Sequence, residues 1–161
     1  MRWRANSAEE TERVGEQLAR ALHSVPRLPV DSLVVVYLEG DLGAGKTTLV
    51  RGFLRACGVT GSVKSPTYTL LELYETPAGS VLHADLYRLR DAAELEHIGL
   101  REWARPGYVW LVEWPERGMG HLPPADLSIT LHAGSAHHDI SATSHSPAGA
   151  QWLAALNPRS G

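Results

Sequence analysis

The sequence predicts an α/β fold, in which a mixed β-sheet is flanked by helices, and two apolar runs lead to this prediction. The run at 33–38 is followed directly by a glycine-rich stretch at 40–47 and then by a helical pattern. The run at 108–112 is followed by Glu113, which is typical of a strand buried on both faces of a parallel sheet. A length of 161 residues suits one domain of this class.

The stretch at 40–47 fits the pattern G-x-x-x-x-G-K-S/T, which is typical of a loop that binds phosphate groups. Its glycines can adopt positive φ, so that backbone N–H groups point inward, and the following helix N-terminus adds partial positive charge. Lys46 supplies an ammonium for the phosphates, and the Thr47 hydroxyl supplies a hard oxygen ligand for Mg²⁺. An ordinary glycine turn is the alternative, but the strand-loop-helix context favours a P-loop NTPase.

Composition excludes several classes of partner. The formal net charge is −3 and lysine occurs only at Lys46 and Lys64, which argues against a broad nucleic-acid surface, so that a partner would hold any RNA. Cys57 is the single cysteine, and we expect it to pack as an apolar residue. No apolar run reaches the length of a membrane span, which is about 20 residues, and the N-terminus lacks the apolar core of a signal peptide. We therefore expect a cytoplasmic protein without membrane contact.

The N-terminal third predicts a helix, a strand and a second helix. Ser7 and Glu10 match the S-x-x-E capping box, and apolar residues on one face then predict a helix over 7–23. A strand over 33–39 and a helix over 47–54 enclose the glycine stretch. The start of the first helix either lies beside the base of a bound nucleotide or only packs against the sheet, and the sequence leaves both open.

The segment 63–68 follows the second helix and contains Thr67 after a proline. Nucleotide-dependent switches place a threonine that senses Mg²⁺ or the γ-phosphate at this position. An ordinary Ser-Pro-Thr turn is the alternative.

Two strand patterns, at 68–74 and 80–87, predict a hairpin. On the second strand, His83, Asp85 and Tyr87 share one face because side chains alternate along a strand. That face is either solvated or part of an active site, and its place after the phosphate loop favours the active site. Asp85 could then bind a water on Mg²⁺ or orient the attacking water.

Glu113 ends the buried strand over 108–113, so that the strand delivers a carboxylate to the carboxyl edge of the sheet. This is the Walker B role, in which Glu113 binds Mg²⁺ directly or through water. The alternative is an acid at an ordinary strand end.

The remaining patterns predict a short helix over 92–98 capped by Asp91, a helical stretch at 100–104, strands over 126–132 and 138–143, and a last helix to about 156. His97 is expected to be a surface or packing residue. His137 and His138 are expected to face solvent, because no acid or cysteine at a metal-ligand spacing accompanies them.

Five blocks together closely resemble the TsaE family, also called YjeE: residues 40–48, 63–70, 83–89, 94–100 and 111–115. The resemblance covers about residues 33 to 118, and the segment after about Leu131 matches weakly. It implies one P-loop ATPase domain over 1–161 that works with TsaB and TsaD to form N6-threonylcarbamoyladenosine beside the anticodon of tRNAs, contacting tRNA only through the complex.

The resemblance also implies site roles. ATP would be bound by Asp41, Gly43, Ala44, Gly45, Lys46, Thr47 and Thr48, and Mg²⁺ would be held by Thr47 and Glu113. Lys46, Thr67, Asp85 and Glu113 would carry hydrolysis. Trp114 would close over the site or contact a partner.

Other nucleotide-dependent functions remain as alternatives. A guanine-specific GTPase is disfavoured because an N/T-K-x-D motif is missing. A P-loop kinase is the second choice, with Arg88, Arg101 and Arg105 as possible phosphate contacts, although no arginine-rich lid is visible. A nucleotide-gated binding module is the third. Since no clear arginine finger lies in the chain, we expect slow hydrolysis that depends on partner proteins.

Overall fold

The computed structural model describes residues 1–63 and 70–157. Within these residues, seven strands and four helices follow one another, with two short 3-10 turns at Leu100–Trp103 and Pro115–Gly118. The elements are β1 (Arg2–Ala5), α1 (Ala8–Ser24), β2 (Val34–Glu39), α2 (Lys46–Ala56), β3 (Leu71–Thr76), β4 (Gly79–Asp85), α3 (Glu94–His97), β5 (Tyr108–Glu113), β6 (Leu127–Ala133), β7 (His138–Ser144) and α4 (Pro147–Leu156). Within the described residues, no helix is long and apolar enough to cross a membrane.

The seven strands form one sheet in the order β1-β7-β6-β2-β5-β4-β3. The four inner strands β6, β2, β5 and β4 are parallel, and antiparallel strands extend the sheet on both sides. The predicted mixed sheet with flanking helices is therefore confirmed. Because β2, β5 and β4 are parallel neighbours, their carboxyl ends meet at one edge, which is where α/β sheets bind ligands.

Both faces of the central strands β2 and β5 are largely buried. Alternate side chains of β2 and β5, such as Val36 and Leu111, face a core that includes Phe53 of α2 and Trp152 of α4. Val35 and Trp110 face a second core, against Leu95 and Leu100. Coverage on both faces explains why these strands read as continuous apolar runs in the sequence.

The predicted helix start at Ser7 is confirmed. The Ser7 hydroxyl accepts a hydrogen bond from the backbone N–H of Glu10 at 3.2 Å. The Glu10 carboxylate in turn accepts from the backbone N–H of Asn6 at 2.7 Å, one residue before the position of the usual capping box. The bond to Ser7 satisfies a backbone donor that the first helical turn leaves unpaired, and the bond from Asn6 ties the preceding residue to the same turn.

Several element bounds differ from the predictions. β1 was not predicted, because four residues carry too little period-two pattern to stand out, and only its pairing with β7 makes it a strand. The hairpin is present, but its turn is shorter than expected, and β4 ends at Asp85 before Tyr87. Residues 68–69 of the predicted first hairpin strand lie outside the described residues.

Two glycines allow α1 and α2 to pack at very close range. A Cβ built on Gly15 of α1 would lie 2.1 Å from the carbonyl oxygen of Leu49, and one on Gly52 of α2 would lie 1.9 Å from that of Glu12. The Glu12 carboxylate also binds Arg51 at 3.2 Å and Arg55 at 2.5 Å. This contact fixes α2, and with it the loop at its N-terminus, against α1.

We expect Gly52→Ala to destabilise the protein. Helix propensity alone would favour alanine by about 1 kcal/mol, but the added methyl group must push the two helices apart, and overpacking of this kind costs about 1–3 kcal/mol or more. Urea unfolding followed by circular dichroism should show a lower midpoint. Gln17→Ala, at an exposed position of α1, is the matched control and should change the free energy of unfolding by less than about 0.5 kcal/mol. A Gly52→Ala variant as stable as the parent would contradict the close packing.

Cys57 packs as an apolar residue, as predicted, directly after α2. Burial raises the pKa of its thiol to about 11. The native protein should therefore react with Ellman's reagent at pH 8 at least about 100-fold more slowly than the urea-unfolded chain, because the thiolate is the nucleophile. Because the folded state also holds the Cys57 thiol proton more tightly than the unfolded chain, the contribution of Cys57 to the free energy of unfolding should fall as pH rises from the ordinary thiol pKa toward 11. Equal reaction rates in the two states would refute the burial.

Candidate functional site

A glycine loop, residues 40–45, connects β2 to α2 at the carboxyl edge of the sheet. Gly40, Gly43 and Gly45 have φ of 145°, 80° and 100°, a region that other residues rarely adopt. At Gly40 a side chain is also excluded by the Leu131 carbonyl oxygen, 2.4 Å from a built Cβ. The loop therefore ends at the N-terminus of an eleven-residue helix with a backbone shape that only glycine permits at these points.

Lys46 is the first residue of α2, and its ammonium folds back over the loop. It donates hydrogen bonds to the carbonyl oxygens of Gly40 and Asp41, the latter at 3.1 Å, and lies 4.0 Å from the centre of the Trp114 ring. Burial lowers the pKa of Lys46 more than the surrounding carboxylates of Glu113, Glu116, Asp85 and Asp41 raise it. The ammonium is thus held in place beside the loop with only 5% of the residue exposed.

Glu113 stands at the carboxyl end of β5 and is 2% exposed. The Thr47 hydroxyl donates to its carboxylate, with Oγ1 at 3.2 Å from Oε1 and 3.1 Å from Oε2. On the other side, Nε2 of His83 lies 2.5 Å from Oε2. A buried carboxylate is costly unless it is paired, and these two contacts provide the pairing.

Asp85 ends β4 directly opposite Glu113 in the register of the two parallel strands. Its carboxylate accepts a hydrogen bond from the backbone N–H of Tyr87 at 3.1 Å. A cavity of about 390 Å³, here called the loop cavity, opens between these strand ends and the glycine loop. It is lined by Leu42, Gly43, Gly45, Lys46, Thr47, Thr48, Asp85, Tyr87, Arg88, Glu113 and Trp114.

An aromatic stack closes one side of the loop cavity. The Tyr87 and Trp114 rings lie 5.0 Å apart, and the guanidinium of Arg117 lies 5.3 Å from the Tyr87 ring centre. Trp114 has a φ of 56°, a left-handed conformation that costs about 1–2 kcal/mol for a residue with a Cβ. The stack and the contact with Lys46 hold Trp114 in this unusual conformation.

A second cavity of about 390 Å³ lies on the other side of the glycine loop. It shares Gly43, Gly45 and Thr48 with the loop cavity. Its other walls come from residues 5–8 and Thr11, before and in α1, and from residues 134–138, at the turn between β6 and β7. The two cavities therefore meet at the glycine loop.

The prediction that His137 and His138 face solvent is wrong for His138 and holds in part for His137, whose side chain is 30% exposed. Both rings are only partly exposed, and Nδ1 of His138 is buried, 3.2 Å from a Cβ built on Gly45. The error arose because the β6–β7 turn returns to the glycine loop only in the folded sheet. His97 is exposed, in agreement with its prediction as a surface or packing residue.

Most of the predicted site residues come together around the loop cavity. Asp41 and Ala44 do not line the cavity: the Asp41 carbonyl oxygen accepts a hydrogen bond from Lys46, and Ala44 is a buried residue of the loop. Thr67 lies outside the described residues. Arg88 lines the loop cavity, whereas Arg101 and Arg105 are not among its lining residues.

Sequence reasoning missed two contributions to the site. His83 was placed on a shared face with Asp85, but its contact with Glu113 was not foreseen, because it depends on the register between β4 and β5. The stacking of Tyr87 on Trp114 was also missed. In the described ranges 1–63 and 70–157, no group of three or more His, Cys, Asp or Glu side chains is arranged to hold a metal ion.

The fold and the site together define an α/β protein with a mixed seven-stranded sheet and a glycine loop at its carboxyl edge. Residues 5–140 match the model of the TsaE family, described as threonylcarbamoyl adenosine biosynthesis protein TsaE. The chain belongs to the TsaE family.

Relatives and a solved structure agree with this assignment. The chain is 46% identical over 119 residues to the tRNA threonylcarbamoyladenosine biosynthesis protein TsaE of Haemophilus influenzae. The aligned region covers 74% of this chain and 73% of that protein. It is 37% identical over 144 residues to the protein of the same name from Bacillus subtilis, covering 89% of this chain and 85% of that one. The crystal structure of Bacillus subtilis YdiB superimposes with a TM-score of 0.79 at 29% identity, over 100% of this chain and 96% of that chain.

Proposed function

We propose that this chain is a Mg²⁺-dependent ATPase that works with TsaB and TsaD in forming N6-threonylcarbamoyladenosine next to the anticodon of tRNAs. The observation that carries the proposal is the contact between Thr47 and Glu113 at the base of the loop cavity, beside Lys46. The names of the relatives support the pathway, since both are tRNA threonylcarbamoyladenosine biosynthesis proteins.

The glycine loop would bind the phosphates of ATP. The backbone of residues 43–48 and the N-terminus of α2 offer N–H groups to an anion, and the Lys46 ammonium lies at the same place. The Lys46 ammonium donates to two carbonyl oxygens of the loop, and phosphate oxygens could accept the same hydrogen bonds in their place. Asp41 would hold the Lys46 ammonium beside the loop through its carbonyl oxygen until a phosphate replaces it, and Ala44, a buried residue of the loop, would help to fix the shape of the loop.

Thr47 and Glu113 fit a magnesium ion. They supply one hydroxyl and one carboxylate, both hard oxygen ligands, and Mg²⁺ in nucleotide sites usually takes its remaining ligands from phosphates and water. The lack of a cluster of three protein ligands in the described residues accords with such a site. A bound Mg²⁺ would withdraw negative charge from the phosphate oxygens.

The second cavity would take the nucleoside. It continues from the glycine loop toward the start of α1 and the β6–β7 turn, so a nucleotide with its phosphates in the loop cavity can reach it. This favours the first of the two possibilities for the start of α1, which is to lie beside the base. His138 lines this cavity, and its buried Nδ1 has no hydrogen-bond partner among the described residues.

Hydrolysis would use Asp85 to orient the attacking water, since its carboxylate borders the loop cavity opposite Glu113. Thr67 remains a proposed switch residue. Lys46 would stabilise the charge that develops on the phosphate oxygens. We expect slow hydrolysis by the chain alone and faster hydrolysis in the complex.

The proposed setting is a cytoplasmic complex in which residues 1–161 act as one ATPase domain. The net charge of −3 and the two lysines favour contact with tRNA through TsaB and TsaD rather than directly. A P-loop kinase is the alternative. Arg88 is the one of its three candidate arginines that lines the loop cavity, and a kinase with a single such contact is the weaker explanation.

ATP hydrolysis should be stimulated strongly by a TsaB–TsaD pair from the same source. Glu113→Ala should abolish the stimulated rate, because the variant loses the carboxylate opposite Thr47. Phosphate release measured with and without the pair is the test, with Glu75→Ala, an exposed carboxylate on β3, as the matched control. Equal rates with and without the pair would contradict the proposal and lead to a search for phosphoryl acceptors.

A second variant, Lys46→Ala, examines the phosphate contact in the same assay. It should lose both hydrolysis and tight ATP binding, because the ammonium is removed from the glycine loop. Normal turnover by this variant would show that the site has been placed wrongly.

The placement of the nucleoside predicts that Ala8→Trp weakens ATP binding while leaving the binding of inorganic tripolyphosphate unchanged. The indole would fill the second cavity, whose wall includes Ala8, without reaching the loop cavity. Calorimetry with the two ligands separates these effects. Ala93→Trp, exposed and outside both cavities, is the matched control. Equal losses for both ligands would place the nucleoside elsewhere.

A further inference from the structure

His83 is a fully buried polar side chain that the proposed reaction does not yet use. It lies on β4 with 0% of the residue exposed, opposite Leu111 in the strand register and two residues before Asp85. Its side chain reaches along the neighbouring strand to Glu113, where Nε2 lies 2.5 Å from Oε2. A polar ring is costly to bury unless it is hydrogen-bonded, and the carboxylate of Glu113 provides this bond for His83.

The two ring nitrogens of His83 have different surroundings. Nε2 faces the carboxylate, which can only accept, so Nε2 carries the proton and donates. Nδ1 is buried without a hydrogen-bond partner among the described residues. With the proton on Nε2, Nδ1 of a neutral ring leaves only a lone pair unpaired. The opposite tautomer would bury an unpaired N–H and set two acceptors against each other.

The His83 hydrogen bond restricts the carboxylate of Glu113 in a specific way. Oε2 is engaged by Nε2–H on the side of β4, and the Thr47 hydroxyl approaches the carboxylate from α2. The carboxylate therefore cannot rotate freely about its last bond. Oε1 is the oxygen that has no hydrogen bond from His83, and it lies 3.2 Å from Oγ1 of Thr47, which is 3.1 Å from Oε2. In metal sites, hydrogen bonds of this kind to a ligating carboxylate set its orientation and its affinity for the ion.

We propose that His83 is a positioning residue, which holds the Glu113 carboxylate so that Oε1 faces a divalent cation shared with Thr47. The inference rests on the proposed Mg²⁺ site, and it adds that the site is completed by a side chain that never contacts the ion. His83 acts through Glu113 and touches neither nucleotide nor water in the loop cavity, whose lining does not include it.

The test compares His83→Gln with His83→Met. The two replacement side chains have similar length and volume, but only the glutamine amide can donate to Glu113 in place of Nε2. Binding of the non-hydrolysable analogue adenylyl imidodiphosphate is measured by calorimetry with Mg²⁺ and with EDTA. The ratio of the two affinities measures how much bound Mg²⁺ strengthens the binding of the nucleotide.

In the wild-type chain Mg²⁺ should strengthen binding, and His83→Gln should preserve most of this gain. In His83→Met, the ratio of the affinity with Mg²⁺ to the affinity in EDTA should fall by about 10- to 100-fold, which is the usual effect of removing such a supporting hydrogen bond. Affinities in EDTA should be the same for all three proteins. A Met variant with the full gain, or a Gln variant with the same loss as Met, would overturn the role of the hydrogen bond.

Leu82→Ala provides the matched control for general loosening of β4. Leu82 is equally buried on the opposite face of the strand, so its truncation lowers stability without touching Glu113. Thermal unfolding is recorded for every variant, and His83→Leu is a second donor-free variant if His83→Met does not fold. If Leu82→Ala also lost the increase in nucleotide affinity that Mg²⁺ causes, the inference would be overturned. A wild-type chain without any Mg²⁺ gain would instead refute the metal site itself.

Discussion

The pairing of the buried Glu113 carboxylate is the interaction on which the rest of the site depends. Removing a carboxylate from water costs several kcal/mol unless hydrogen bonds replace its hydration. Here the replacement comes from His83 on β4 and from Thr47 on α2, at 2.5 Å and 3.1 Å. Both partners must therefore be held to within a few tenths of an ångström. The pairing of Glu113 thus depends on the register of β4 on β5 and on the position of α2.

The position of α2 is fixed from the opposite side by its packing on α1. Gly15 and Gly52 let the two helix backbones approach so closely that neither position has room for a Cβ. The glycine loop then starts at the end of β2 and finishes at the N-terminus of α2. Because both of its ends are anchored, the loop holds glycine conformations that free peptides adopt only part of the time. If the loop binds phosphate as proposed, a loop anchored in this way would lose little conformational entropy on binding.

The side chain of Lys46 is held beside the glycine loop by contacts within the protein itself. Its ammonium is buried, which lowers its pKa, and the cost is offset by two carbonyl oxygens and by the face of Trp114. Trp114 lies there in a left-handed backbone conformation, and its ring contacts that of Tyr87. Strained residues at a site are retained when the surrounding structure holds them, and here that structure is the aromatic stack at the edge of the loop cavity.

The sequence by itself determined the features that depend on neighbouring residues. The glycine loop between β2 and α2, the cap at Ser7 and the acid at the end of β5 follow from short patterns, because turns, caps and strand ends are set by local backbone chemistry. Only the tertiary structure decided which distant groups meet. The contact of His83 with Glu113, the place of Trp114 over Lys46, the return of His138 to Gly45 and the pairing of β1 with β7 all depend on strand register and helix packing. Those are set by burial across the whole sheet, and no local pattern in the chain encodes them.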